Sequence, residues 1–140
     1  MNKLKEIFAG KSVAHFVFYA VLCLGLVADI VFIAVDFGDF TFHIGCFVCV
    51  LLGSIVGLVD IVFPYGNICL WASSLLYVVA FGFHMSVALA SLSDLWNGIN
   101  FIGGNQTVAT AFLVIFGVLT LALIALNFFD FKKKNAEKTR

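Results

Sequence analysis

The chain has 140 residues, 63% of them hydrophobic and 11% charged, with eight Lys or Arg balancing eight Asp or Glu. Mean hydropathy is +1.12, whereas a soluble domain is about 45–50% apolar and about 25% charged. These values exclude a water-soluble globular protein and, with zero net charge, a nucleic-acid-binding one; the solvent of this chain is lipid.

The cations set the plan. They are Lys3, Lys5, Lys11, Lys132, Lys133, Lys134, Lys138 and Arg140, so residues 12–131 contain none. Loops rich in Lys and Arg stay on the cytoplasmic side, which predicts a cell-membrane protein with an even number of spans and both termini in the cytoplasm. Residues 1–11 place Leu4, Ile7 and Phe8 at i, i+3, i+4 among three lysines, the pattern of an amphipathic helix lying in the cytoplasmic interface. No small-x-small cleavage site follows the first apolar run, so that run is expected to remain in the mature protein.

Four spans follow, 12–35, 41–63, 68–90 and 107–129, each of 23 or 24 residues. That is enough to cross about 30 Å of hydrocarbon at ~1.5 Å per residue. The Asp36-Phe37-Gly38-Asp39 and Phe63-Pro64-Tyr65-Gly66 links read as tight turns, which makes neighbouring spans antiparallel. The third link, 91–106, is an external loop. Within it Asn97-Gly98 reads as the turn of a small hairpin, Trp96 and Phe101 suit the headgroup level, Asp94 carries the loop's charge, and Asn105 or Thr107 caps the fourth span. Residues 130–140 are a basic cytoplasmic tail whose lysines attract anionic headgroups.

A polar side chain in lipid needs a partner, so polar stripes mark interior faces. Span one carries His15, Tyr19, Leu22, Leu26, Asp29, Ile33 and Asp36; span two His43, Cys46, Val50, Gly53, Gly57 and Asp60; span three Ser73, Tyr77, Ala80, His84, Val87 and Ser91. Span four offers only Thr110, Val114, Gly117, Leu121 and Ile124. The shared spacing of three and four predicts an all-α integral membrane fold, a four-transmembrane-helix antiparallel up-down bundle with a left-handed twist. Gly53 and Gly57 form a GxxxG motif for close helix packing.

Asp29 and Asp60 demand explanation, because an Asp at mid-bilayer costs about 2.5–3.5 kcal/mol. Counted from the helix starts, Asp29 lies level with His84 and Asp60 level with His15, predicting two Asp/His pairs, one near each surface. Such pairs serve as helix ties or as the endpoints of a proton or cation path.

His43, Cys46 and Cys49, with His84, are the candidate metal ligands, although their i, i+3, i+6 spacing splays them about 120° around a helix. The Cys46-Phe47-Val48-Cys49 sequence at the outer start of the second of four spans resembles the bacterial quinone-linked disulfide-forming membrane enzymes. That resemblance implies redox-active Cys46 and Cys49 and a ubiquinone-type cofactor; the family's second cysteine pair has no counterpart in residues 91–106, and no Arg follows Cys49. The chain is also similar in outline to small multidrug resistance transporters, which carry a carboxylate in the first of four short spans.

The expected role is that of a small non-enzymatic multi-pass membrane protein without cofactor, an accessory or scaffold subunit of a larger assembly. Its partners are then the bilayer and a membrane protein or second copy. The alternatives are a transporter or channel subunit moving protons or a small cation through its Asp/His pairs, and a thiol redox enzyme acting through Cys46 and Cys49.

Overall fold

A computed structural model of the chain describes residues 11–63 and 67–129. The expected interfacial segment, apart from Lys11, the basic tail, and Pro64-Tyr65-Gly66 of the second turn lie outside them. Four helices follow in order: α1 Val13–Asp36, α2 Ile44–Val59, α3 Ile68–Trp96 and α4 Gln106–Asn127. Each packs on its neighbours in the ring α1, α2, α3, α4, and the diagonal pairs stay apart. The result is an all-α, antiparallel up-down bundle. Three helices are long and apolar enough to span a membrane; α2, with 16 residues, is about 24 Å long at ~1.5 Å per residue.

The ends of the helices follow from local chemistry. Ser12 caps α1, its backbone N–H donating to His15 Nδ1 at 3.2 Å in a capping box with His where Glu or Gln is usual. Asn105 caps α4 by accepting from the Val108 N–H at 3.2 Å. The second span is shorter than expected at both ends. Thr41 is held by Asp36 and Asp39 and His43 becomes the N-cap, accepting from the Gly45 N–H at 3.1 Å. At the other end hydrogen bonds tighten to i→i−3 at Ile61 and Val62, just before Pro64, which disfavours helix in the residue ahead of it.

The third span, by contrast, runs six residues past its expected end. Ser91 and Asp94 continue the buried stripe of His84 and Ala88, so the helix keeps a face to bury. It then stops in a Schellman motif: Gly98 sits at φ +68°, its N–H bonds to the Leu95 carbonyl, and the Ile99 N–H bonds to that of Asp94. Asn97-Gly98 is therefore a helix C-cap, where only Gly adopts the left-handed conformation without strain, and not the tip of a hairpin.

Buried faces in α1 to α3 follow the polar stripes, but α4 is turned. It buries Ala109, Phe112, Phe116, Leu119, Thr120, Leu123 and Asn127, while Val114 and Leu121 are exposed. The aromatic rings of Phe112 and Phe116 outweigh the small Thr110 and Gly117 as core formers, since a ring buries far more area. The GxxxG glycines pack within the chain. A Cβ on Gly57 would lie 2.4 Å from Leu22 of α1 and 2.8 Å from the Ser73 hydroxyl of α3, and one on Gly53 would lie 3.0 Å from the Tyr77 ring.

Candidate functional site

The bundle interior carries a column of polar side chains from the end where α1 begins and α4 finishes, the terminal end, to the end bearing the 97–105 connection, the loop end. At the terminal end Asp60, the C-cap of α2, is almost fully buried and almost fully satisfied. Its Oδ2 accepts from Lys11 Nζ at 2.8 Å and from the Tyr19 hydroxyl at 2.7 Å. Lys11 Nζ also donates to the Asp60 backbone carbonyl at 2.7 Å and to the Tyr19 hydroxyl, and lies over the Tyr19 ring. Lys11 makes the ion pair to Asp60, while His15, expected to pair with Asp60, lies near it and gives its Nδ1 to the α1 cap. Counting depth along the helices hid this, because the four-carbon stem of a lysine carries its charge well away from its own backbone. The position of Lys11 one residue before the first span was the available signal.

One layer deeper, Tyr77 of α3 reaches across the bundle. Its hydroxyl is 2.7 Å from Ser54 Oγ of α2 and occupies the space a Cβ on Gly25 of α1 would need, 1.9 Å away. Thr120 Oγ1 of α4 donates to the Tyr77 carbonyl at 3.2 Å, and Asn127 Nδ2 donates to Ser74 Oγ at 2.6 Å. These ties fasten α4, which the sequence offered little reason to expect.

Asp29 comes next, one helical turn beyond Gly25. It is 1% exposed, and neither carboxyl oxygen meets a hydrogen-bond partner among the described residues. Cys46 of α2 and Tyr77 are the ionisable groups near it. The expected bond to His84 is not made. His84 Nε2 donates instead to the Ala109 carbonyl of α4 at 3.0 Å, leaving Nδ1 buried without a partner. The His84 ring meets Phe32 edge-on at 5.3 Å, so it lies level with Phe32, three residues or about 4–5 Å above Asp29 at ~1.5 Å per residue. Helix starts assumed coplanar produced that error.

Phe32 is the hub of an aromatic layer, with ring centroids 4.9 Å from Phe112, 5.5 Å from Phe116 and 5.2 Å from Phe42. This layer separates Asp29 from a second buried carboxyl, Asp36, which accepts from the Thr41 hydroxyl at 2.9 Å through Oδ1. Asp36 Oδ2 and the Ser91 hydroxyl are buried and unpartnered among the described residues. Most of the buried polar atoms whose bonding capacity is unmet among the described residues lie in the half of the bundle toward the loop, with Ser73 Oγ and Asn127 Oδ1 in the other half, and buried polar groups are ordinarily hydrogen-bonded.

The loop end is closed by a connection with fixed geometry. Asp94 Oδ2 accepts from the backbone N–H groups of Phe101 and Ile102 at 2.8 and 2.9 Å. Asp39 Oδ2 accepts from the Asn105 N–H at 3.1 Å, and its Oδ1 lies 2.2 Å from where a Cβ on Gly104 would stand. Gln106 Nε2 donates to the Ile99 carbonyl at 2.7 Å. On this scaffold Trp96 and Phe101 are 88% and 89% exposed.

The candidate metal ligands do not converge. The His43 ring stacks on Phe83 at 4.8 Å while capping α2, His84 is turned to Ala109, and among the described residues no three His, Cys, Asp or Glu side chains gather into a metal-binding group. Cys46 and Cys49 are free thiols, the first buried and the second half-buried. Comparison with family models, with curated proteins and with solved structures gives no match.

Proposed function

We propose that this chain is a small non-enzymatic subunit of a larger membrane assembly, oriented with both termini in the cytoplasm and the 97–105 connection outside. The orientation rests on the absence of Lys and Arg from residues 12–131. The subunit role rests on the presentation of Trp96 and Phe101 by a connection that is already ordered. An interfacial aromatic belt accounts for the two rings, but it does not call for the Asp94 and Asp39 bonds or the left-handed glycines that fix the backbone beneath them. A surface ordered in advance loses less entropy on docking, and Trp is enriched among the residues that dominate interfaces.

Native electrophoresis of gently solubilised membranes tests this, with a photo-crosslinking residue at position 101. A heavier assembly and a crosslinked adduct are expected, both lost in W96A/F101A while the thermal melt of the purified chain is unchanged. Migration of the free chain alone, with no adduct, overturns it.

A second reading is favoured by Asp29: a subunit that conducts protons or a small cation. Intramembrane ionisable groups are functional candidates by default, and an unpartnered buried carboxyl performs no evident structural task. Loss of flux in D29N proteoliposomes supports conduction; equal flux in wild type and D29N removes it.

A further inference from the structure

We propose that Asp29 is a proton-binding site, held as the neutral acid inside the bundle and loaded from the loop side past Phe32. The inference deepens the conduction reading and rests on it for its use, not for its existence. Three observations carry it. The carboxyl is 1% exposed with both oxygens unpartnered, and an isolated carboxylate removed from water costs so much that the group takes up a proton. Among the described residues no cation faces it: the groups around it are Cys46 from α2 and Tyr77 from α3, with His84 one layer above, and the buried residues of α4 are Ala109, Phe112, Phe116, Leu119, Thr120, Leu123 and Asn127, none of them ionisable. Asp60 shows what this bundle does when it keeps a carboxylate charged, surrounding it with Lys11 and Tyr19.

The two ends of the column differ as routes. Toward the terminal end lie Tyr77, bonded to Ser54, then Leu22 and the unpartnered Ser73 hydroxyl at the Gly57 notch, then Asp60, whose Oδ2 is already taken by Lys11 and Tyr19. Toward the loop end one aromatic layer intervenes, holding His84 with its buried, unpartnered Nδ1, and beyond it Asp36 offers a buried, unpartnered acceptor in Oδ2. Loading is a simple transfer. A hydronium ion on the loop side gives up a proton, an O–H bond forms at one Asp29 oxygen, water is released and no electrons change hands. Asp36 Oδ2, beyond the aromatic layer, and His84 Nδ1, within it, are the intermediate acceptors, and Phe32 is the barrier between Asp36 and Asp29.

Infrared difference spectroscopy of the full chain in nanodiscs tests the site. At neutral pH the wild type is expected to show the carbonyl stretch of a protonated carboxyl, shifted by deuterium oxide. The Asp29 component of that band is lost in Asp29→Asn and kept in Asp36→Asn, with the helical amide signal intact in both. A folded wild type lacking the band, or a band unchanged in D29N, overturns the proposal. The rate of deuteration tests the route: Phe32→Ala is expected to raise it by an order of magnitude, and an unchanged rate overturns loading past Phe32. Proteoliposome flux is measured in parallel. A band present with no flux in wild type or F32A supports the proton site and overturns conduction, whereas flux without the band overturns the site.

Discussion

The two intramembrane aspartates stand in opposite states. Asp60 is buried at the terminal end with its Oδ2 shared by an ammonium and a phenol, whereas Asp29, equally buried, has an empty coordination on both oxygens. The difference shows that burial alone does not tell a structural carboxylate from a functional one. Asp60 holds α1 to α2 and is explained by that. Asp29 holds nothing, and its cost is left unoffset by any contact within the described bundle.

The largest expected effect breaks the paired end. Lys11→Met strands a buried carboxylate and should destabilise the chain by about 3–5 kcal/mol, read as a shift in the denaturant midpoint in mixed micelles. Replacing the whole group, Lys11→Met with Asp60→Leu and Tyr19→Phe, should recover most of that loss, because an apolar set of similar volume leaves no unpaired charge. A triple variant as unstable as K11M would show that the group does more than neutralise itself.

At the unpaired site the sign reverses. Asp29→Leu removes a carboxyl with no partner and adds an apolar side chain, so the chain should gain about 1–3 kcal/mol in the same assay. A residue retained at a cost to stability is the pattern expected of function. Destabilisation by D29L would place a tie at Asp29 and remove the contrast with Asp60.

Glycine substitutions sharpen the boundary between the two regions. Gly25→Ala drives a methyl into the Tyr77 hydroxyl and should cost about 1–3 kcal/mol through overpacking, breaking the Ser54 bond that seals Asp29 from below. Gly82 lies on the lipid face of α3 with nothing within 4 Å of a built Cβ, so Gly82→Ala should be neutral or gain up to about 1 kcal/mol from helix propensity alone. Equal effects at the two positions would contradict the packing described.

Much of this architecture was legible in the sequence. The four apolar runs within residues 12–131 gave the helix count, and the stripes of α1 to α3 were readable because Tyr19, Asp29, Cys46, Tyr77 and His84 fall at helical spacing within their helices. The face of α4 was not, because a helix of nearly uniform apolarity carries no polar stripe to read, and its orientation was decided by how Phe112 and Phe116 fit around Phe32. The partners of Asp29 and Asp60 were also illegible. Pairing depends on the axial offset between helices and on side-chain reach, and an error of one turn or one lysine stem reassigns every bond.

The smallest expected effect lies at the loop end, where the same carboxylate logic operates against water instead of lipid. Asp94 gathers the Phe101 and Ile102 amides much as Asp60 gathers Lys11 and Tyr19, yet amides released there reach solvent and are not orphaned. Asp94→Ala should therefore cost only about 1 kcal/mol, near the net worth of an ordinary hydrogen bond, and the loss should be local. Hydrogen exchange should quicken at Phe101 and Ile102 while amides of α1 and α2 keep their protection. If the bundle melted with the loop, the 97–105 connection would be part of its core, and the role assigned to Trp96 and Phe101 as a presented surface would give way to one in holding α3 to α4.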